Sequence, residues 1–254
     1  MRYFIQLSYK GTEFSGWQNQ PNGISIQESL EKALSSILRR ELKIVGSGRT
    51  DAGVHAEQQF AHFEVDEPLT VTAQLVYALN CILPAGIAVQ AMFPVADDRH
   101  ARYSAEYRYY QYRISRHKNP FLQKLIYVFR PELDVARMNE AAGLLLQHTN
   151  FQSFSKVRTS VNHFHCTITR AEWLREGDQL VFHVKANRFL YGMVRTLVGT
   201  LLEVGQGRMT VDHFEQIILA KDRTVAGRSV PPDGLFLVEV GYPAEVLQNR
   251  VIFD

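Results

Sequence analysis

The apolar residues of this chain switch between a two-residue and a 3.6-residue period in one order, twice over, and that alternation restricts the fold more than any other feature. Tyr3, Ile5, Leu7 and Tyr9 share one face of an opening strand. Ser25 stands three residues before Glu28, a capping box that predicts a helix over about residues 26–39, with Ile26, Leu30, Ala33, Leu34, Ile37 and Leu38 turned inward. A short strand at 42–45, a strand at 58–65, a helix at 72–81 and a strand at 87–93 follow. The order is β-α-β-β-α-β.

The second half repeats it. Strands are predicted at 107–115, at about 166–174 and at 180–187, the last two joined by a turn at Glu176-Gly177-Asp178. Helices are predicted at about 134–148 and 189–204, an added helix at 211–220, and a final strand at 235–242 after Pro232-Asp233-Gly234. Twice β-α-β-β-α-β predicts an α+β protein of two ferredoxin-like halves, residues 1–103 and 104–254, with mainly antiparallel sheets and a cleft between them.

Composition sets the class and excludes others. Hydrophobic residues at 46% and charged residues at 21% rule out disordered, collagen-like and coiled-coil chains. With 28 basic against 26 acidic residues, a net charge of +2 neither announces nor forbids a nucleic-acid partner. No apolar run approaches the roughly 18–20 residues that span a bilayer, and MRYFIQLSYKG reads as a strand, not a signal peptide. Cys81 and Cys166 are far apart and lack metal spacing, as expected of reduced thiols in a cytoplasmic protein.

The densest candidate for chemistry is Gly46-Ser47-Gly48-Arg49-Thr50-Asp51-Ala52-Gly53-Val54-His55-Ala56. Its glycines let a loop come close to a ligand. Asp51, with Arg49 nearby and no bulky neighbour, is an accessible carboxylate suited to act as nucleophile or general base. The same pattern also suits a plain turn, and it lacks the G-x-x-x-x-G-K-[ST] order of a phosphate-binding loop.

GRTDAGVHA resembles the signature of the bacterial tRNA pseudouridine synthase A family, and the resemblance extends in order over residues 3–243. Further blocks are SYKGTEFSGWQNQP, Ala101-Arg102 with Ser104-Ala105, Arg108-x-Tyr110-x-Tyr112, Asn150-Phe151-x-Ser153-Phe154, Lys185-Ala186-Asn187-x-Phe189 with Met193-Val194-Arg195, Lys221-Asp222-Arg223 and Gly234-Leu235-Phe236-Leu237. The resemblance implies an isomerase that converts uridine to pseudouridine at positions 38, 39 and 40 of the tRNA anticodon stem-loop. It implies no metal, nucleotide or redox cofactor, and a homodimer. By resemblance Asp51 is the nucleophile, Tyr110 packs against the target uracil, Arg195 is the basic partner of the carboxylate, and Leu235 lines the uracil pocket. Each has a plainer reading too: Tyr110 and Leu235 as core residues, Arg195 as a solvated helix arginine.

A stem uridine must leave its stack to meet a loop carboxylate, so the substrate is expected to flip its base and to be held through phosphates. Arg39-Arg40, Arg49, Arg102, Arg108, Lys156-Val157-Arg158 and Arg188 are candidate contacts. His163-x-His165-Cys166 places two imidazoles on one strand face but lacks a third ligand at metal spacing, so no metal is expected there. His55 is expected to hold the signature loop by hydrogen bonds. The competing functions are a non-catalytic RNA-binding or RNA-folding protein, a pseudouridine synthase for another RNA site, and a small-molecule acid–base enzyme. The last lacks a second Gly-framed carboxylate.

Overall fold

Strand β1 (Arg2–Tyr9) is buried without interruption from Tyr3 to Leu7, so both its faces are covered and it serves as the spine for the strands beside it. Helix α1 (Ile26–Leu38) begins where predicted: Ser25 Oγ accepts the Glu28 N–H at 3.0 Å, and Lys32 pairs with the Glu28 carboxylate at 2.6 Å. Strands β2 (Val45–Gly46) and β3 (His55–Glu64), helix α2 (Ala73–Ile82) and strand β4 (Ile87–Val95) complete the series. The order β4-β1-β3-β2 is antiparallel throughout, with Phe4 opposite His62 on β3 and Phe93 on β4. Phe4, Phe60, Phe93 and Tyr242 pack ring against ring at centroid distances of 5.1–6.5 Å.

The strand expected at 42–45 shrinks to the two residues of β2. Leu42 donates its N–H to Ser35 Oγ and Ile44 donates to Glu31 Oε1, so side chains of α1 satisfy backbone groups that a ladder would otherwise claim.

A further set of strands is built on β5 (Tyr107–Ser115), with β6 (Tyr127–Val128) parallel to it and β8 (Gln179–Ala186) then β7 (Ile168–Glu176) antiparallel, in the order β5-β8-β7. Helices α3 (Val135–Leu144), α4 (Met193–Gly205) and α5 (Val211–Ala220) accompany it. α3 stops short of the predicted 148 because after Gly143 the chain tightens into i→i+3 bonds, among them Leu146 N–H to the Gly143 carbonyl at 3.2 Å. α4 starts later than predicted: Gly192 takes φ +72, a left-handed break, so the apolar Phe189 and Leu190 precede the helix.

Strand β9 (Leu235–Gly241) runs parallel to β3, pairing Phe236 with His55 and Leu237 with Ala56, and a short helix α6 (Ala244–Leu247) follows. The computed structural model describes residues 1–156 and 163–251. Their contacts divide into two units, Met1–Glu106 with the stretch from Phe236 onward, and Tyr107–Leu235. These bounds differ from a single cut after residue 103, because the last strand returns to β3. Mixed α/β with largely antiparallel pairing is the class that the alternation predicted. Among the described residues no helix is long and apolar enough to cross a membrane.

Candidate active site

In the first unit the signature loop between β2 and β3 is tied down on both sides of Asp51. Ser47 donates its N–H to the Phe60 carbonyl at 2.7 Å and its hydroxyl to Gln59 Oε1. Gln59 Nε2 in turn donates to the Gly48 carbonyl at 3.1 Å. Ser47 and Gln59 are both buried, so each needs these partners. Thr50 is held from the opening of the chain: its hydroxyl lies 2.8 Å from that of Tyr9, and its carbonyl accepts the Trp17 N–H at 3.1 Å. Beyond Asp51, Val54 donates to the Asp51 carbonyl at 3.1 Å around Gly53, whose φ is +80.

His55 does what was expected of it. Its Nδ1 accepts the Gly11 N–H at 3.1 Å and its ring stacks on Phe236 at 4.7 Å. The Gly11–Gly23 segment approaches closely enough that a methyl at Gly11 would lie 2.0 Å from the Val54 carbonyl oxygen, and one at Gly16 2.7 Å from that of Thr50. Asp51 is half-buried and Arg49 exposed. A carboxylate on backbone fixed at both flanks loses little freedom on meeting a substrate, as nucleophilic attack requires.

In the second unit Tyr110 sits on β5 with its ring edge-to-face on Phe189, centroids 5.2 Å apart. Tyr112 and Ile114, next on that strand face, are buried, whereas Tyr110 is half-buried. Arg195, on the first turn of α4, donates Nε–H to the Val230 carbonyl at 2.7 Å, and Val230 N–H donates back to the Arg195 carbonyl at 3.2 Å. The Tyr112 hydroxyl donates to the Pro231 carbonyl at 2.8 Å; burial raises its pKa well above the usual phenol value, keeping it a donor. A methyl at Gly234 would lie 2.6 Å from the Arg113 carbonyl oxygen, and Leu235, buried, follows directly. The segment Val230–Leu235 thus joins Arg195, the strand of Tyr110 and Leu235 in one network.

Sequence reasoning singled out Leu235 and read Pro232-Asp233-Gly234 as a turn, but missed Val230 and Pro231 as the partners of Arg195 and Tyr112. Their signal is the pair Pro231-Pro232: prolines carry no N–H, yet the carbonyls of Val230 and Pro231 remain to accept bonds.

The remaining candidates scatter. Arg102 and Lys156 are exposed, over the rings of Tyr103 at 5.7 Å and Tyr191 at 4.6 Å. Arg108 donates to the Asn187 carbonyl at 3.0 Å. Arg39 caps α1 in the left-handed region, φ +52. Val157 and Arg158 lie outside the described residues. At the histidine pair, His163 Nδ1 accepts the His165 N–H and its Nε2 faces Arg188 Nη1 at 3.0 Å, a guanidinium where a metal would need to stand. Among the described residues no group of three or more His, Cys, Asp or Glu could hold a metal ion.

A mixed α/β protein with a Gly-framed carboxylate loop in one unit and an aromatic–arginine network in the other is the class these elements define. The family model described as tRNA pseudouridine synthase matches residues 6–104 and 141–243. The chain is 49% identical over 245 residues to the tRNA pseudouridine synthase A of Parabacteroides distasonis, covering 96% of this chain and 97% of that one. It is 48% identical over 249 residues to that of Bacteroides fragilis (97% and 98%) and 40% identical over 247 residues to that of Bacillus licheniformis (95% and 99%). The chain belongs to the tRNA pseudouridine synthase family.

Proposed function

We propose that this chain isomerises uridine to pseudouridine at positions 38, 39 and 40 of the tRNA anticodon stem-loop. The observation that carries the reading is the fixed backbone around Asp51, in a chain nearly half identical to relatives named tRNA pseudouridine synthase A. The bond from the ribose to N1 of uracil breaks, the base turns, and a bond from the same ribose carbon to C5 forms. The C5 proton is lost and N1 gains one, so substrate and product are isomers and nothing is oxidised.

Asp51 is the nucleophile, Tyr110 stacks on the target uracil, Leu235 lines its pocket, and Arg49 and Arg195 supply positive charge to substrate and carboxylate. Stacking of a base on a tyrosine ring contributes about 1–3 kcal/mol. The two units are ferredoxin-like halves, the first carrying the Asp loop and the second the residues that complete the site. The protein works as a cytoplasmic homodimer.

The test uses purified protein, a chelator and unmodified tRNA bearing uridine at 38, 39 or 40, with Asp51→Asn alongside and pseudouridine mapped base by base. Product from the wild type alone supports the reading. Salt-sensitive tRNA binding without product moves it to a non-catalytic RNA-binding protein or another RNA target, and an active Asn variant removes Asp51 from its role.

A further inference from the structure

The chain after α5 doubles back along α4 as a strap. It is anchored at its start, where Asp222 N–H donates to Ser153 Oγ at 2.9 Å and Arg223 Nη1 donates to the Ala226 carbonyl at 3.3 Å. From Gly227 to Val230 it runs along the N-terminal half of the helix and touches it at Thr200, Thr196 and Arg195. Gly227 N–H donates to Thr200 Oγ1 at 3.0 Å, Ser229 Oγ lies 2.8 Å from Thr196 Oγ1, and Val230 N–H donates to the Arg195 carbonyl at 3.2 Å. Thr196 and Thr200 stand four residues apart on α4, as do Arg195 and Gly199, so the strap lies over two neighbouring rows of that helix. Thr200 is fully buried and donates its own hydroxyl hydrogen to the Thr196 carbonyl at 2.8 Å, which turns an oxygen lone pair to Gly227.

Two glycines make this approach possible. A methyl at Gly199 would lie 1.8 Å from the Arg228 carbonyl oxygen, and one at Gly227 3.0 Å from the Thr200 backbone. The strap therefore lies directly against the α4 backbone. Its far end delivers the Val230 carbonyl to Arg195 Nε at 2.7 Å.

We propose that the strap Gly227–Val230, seated on α4 through Thr200, Thr196 and Gly199, positions the Arg195 guanidinium for the reaction. The inference rests on the tRNA pseudouridine synthase reading for Arg195's role, and deepens it. Arginine is long and rotatable, and a bond from Nε to a fixed carbonyl selects the plane of the guanidinium before substrate arrives. Thr196, Thr200, Gly199 and Ser229 are therefore positioning residues.

The test compares Thr200→Val, which removes the acceptor of the Gly227 N–H, with Thr200→Ser, which keeps it, and with Ser229→Ala at an exposed position where folding is safe. Misplacing a reacting group by about an ångström costs up to roughly a hundredfold in rate. Thr200→Val should lower kcat on tRNA by about tenfold with KM changed by less than about twofold, and Thr200→Ser should recover most of it. Hydrogen exchange at the Arg195 Nε–H, assigned in NMR spectra by its loss in Arg195→Lys, reads the strap without turnover. It should be slow in wild type and Thr200→Ser, and faster in Thr200→Val and Ser229→Ala. Unchanged exchange or unchanged kcat in Thr200→Val and Ser229→Ala overturns the proposal, as does a rate loss that only follows the fraction unfolded. If the wild type forms no pseudouridine, the functional reading falls alone, and the exchange measurement still decides whether the strap holds Arg195.

Discussion

The hydroxyls of Tyr9 and Thr50 lie 2.8 Å apart in the interior, so the residue preceding Asp51 is fastened to the end of the first strand. Tyr9→Phe removes this bond and leaves the ring in place. The variant should lose about 0.5–1.5 kcal/mol in urea unfolding. Its turnover of tRNA should fall while tRNA affinity stays near wild type, because the loop loses one of its fixings and no phosphate contact.

Three glycines should separate crowding from backbone strain. At Gly16 both act: φ is +93 and a methyl would meet the Thr50 carbonyl oxygen at 2.7 Å, so Gly16→Ala should cost at least about 2 kcal/mol. At Gly177 only φ is unusual, at +58 with open space around it, and Gly177→Ala should cost about 1 kcal/mol. Gly48, in the signature loop, has neither feature, and Gly48→Ala should stay within about 0.5 kcal/mol of wild type. Thermal or urea unfolding of the three gives the order; a Gly16→Ala as stable as Gly48→Ala would contradict the close approach.

Acid should weaken the first unit through His62. Burial, helped by the nearby His100 and Arg2 charges and opposed by Glu64, pushes its pKa down to about 4. Its Nδ1 accepts the Ala101 N–H at 3.2 Å, and protonation there would break that bond. Between about 4 and the ordinary imidazole value of 6.5 the unfolded chain binds a proton that the folded one does not. The contribution is therefore complete above pH 6.5 and is lost as pH falls towards 4, by at most about 3 kcal/mol. Urea midpoints at pH 7.5 and 5.0 should show the drop, and His62→Gln should flatten it.

The sequence was most readable where a local rule and the tertiary contacts agree. β5 and α5 fall on the predicted residues, and Ser25 caps α1, because period and cap are written in neighbouring side chains. Failures came where distant groups intervened: Glu31 and Ser35 took the backbone bonds of the strand expected at 42–45, and Gly192 broke a helix whose apolar pattern ran on through Phe189. The signature loop marked Asp51 and Arg49, yet nothing local shows that Tyr9, Gly11 and Trp17 hold that loop, nor that Val230 holds Arg195. Such contacts join residues dozens of positions apart, and spacing along a chain does not encode them.

Because β9 pairs with β3 and Val240 N–H donates to Gln58 Oε1 at 3.0 Å, the first unit lacks part of itself until nearly the whole chain has been made. At about 5–20 residues per second, the ribosome takes roughly 6–26 s to extend from Tyr107 to Leu235. During that interval the ring cluster of Phe4 and Phe60 waits without Tyr242, and His55 without Phe236. The His55 end of the signature loop thus gains its β9 neighbours late although it is synthesised early, and a nascent chain stalled before residue 236 carries the signature without the Phe236 ring beside it.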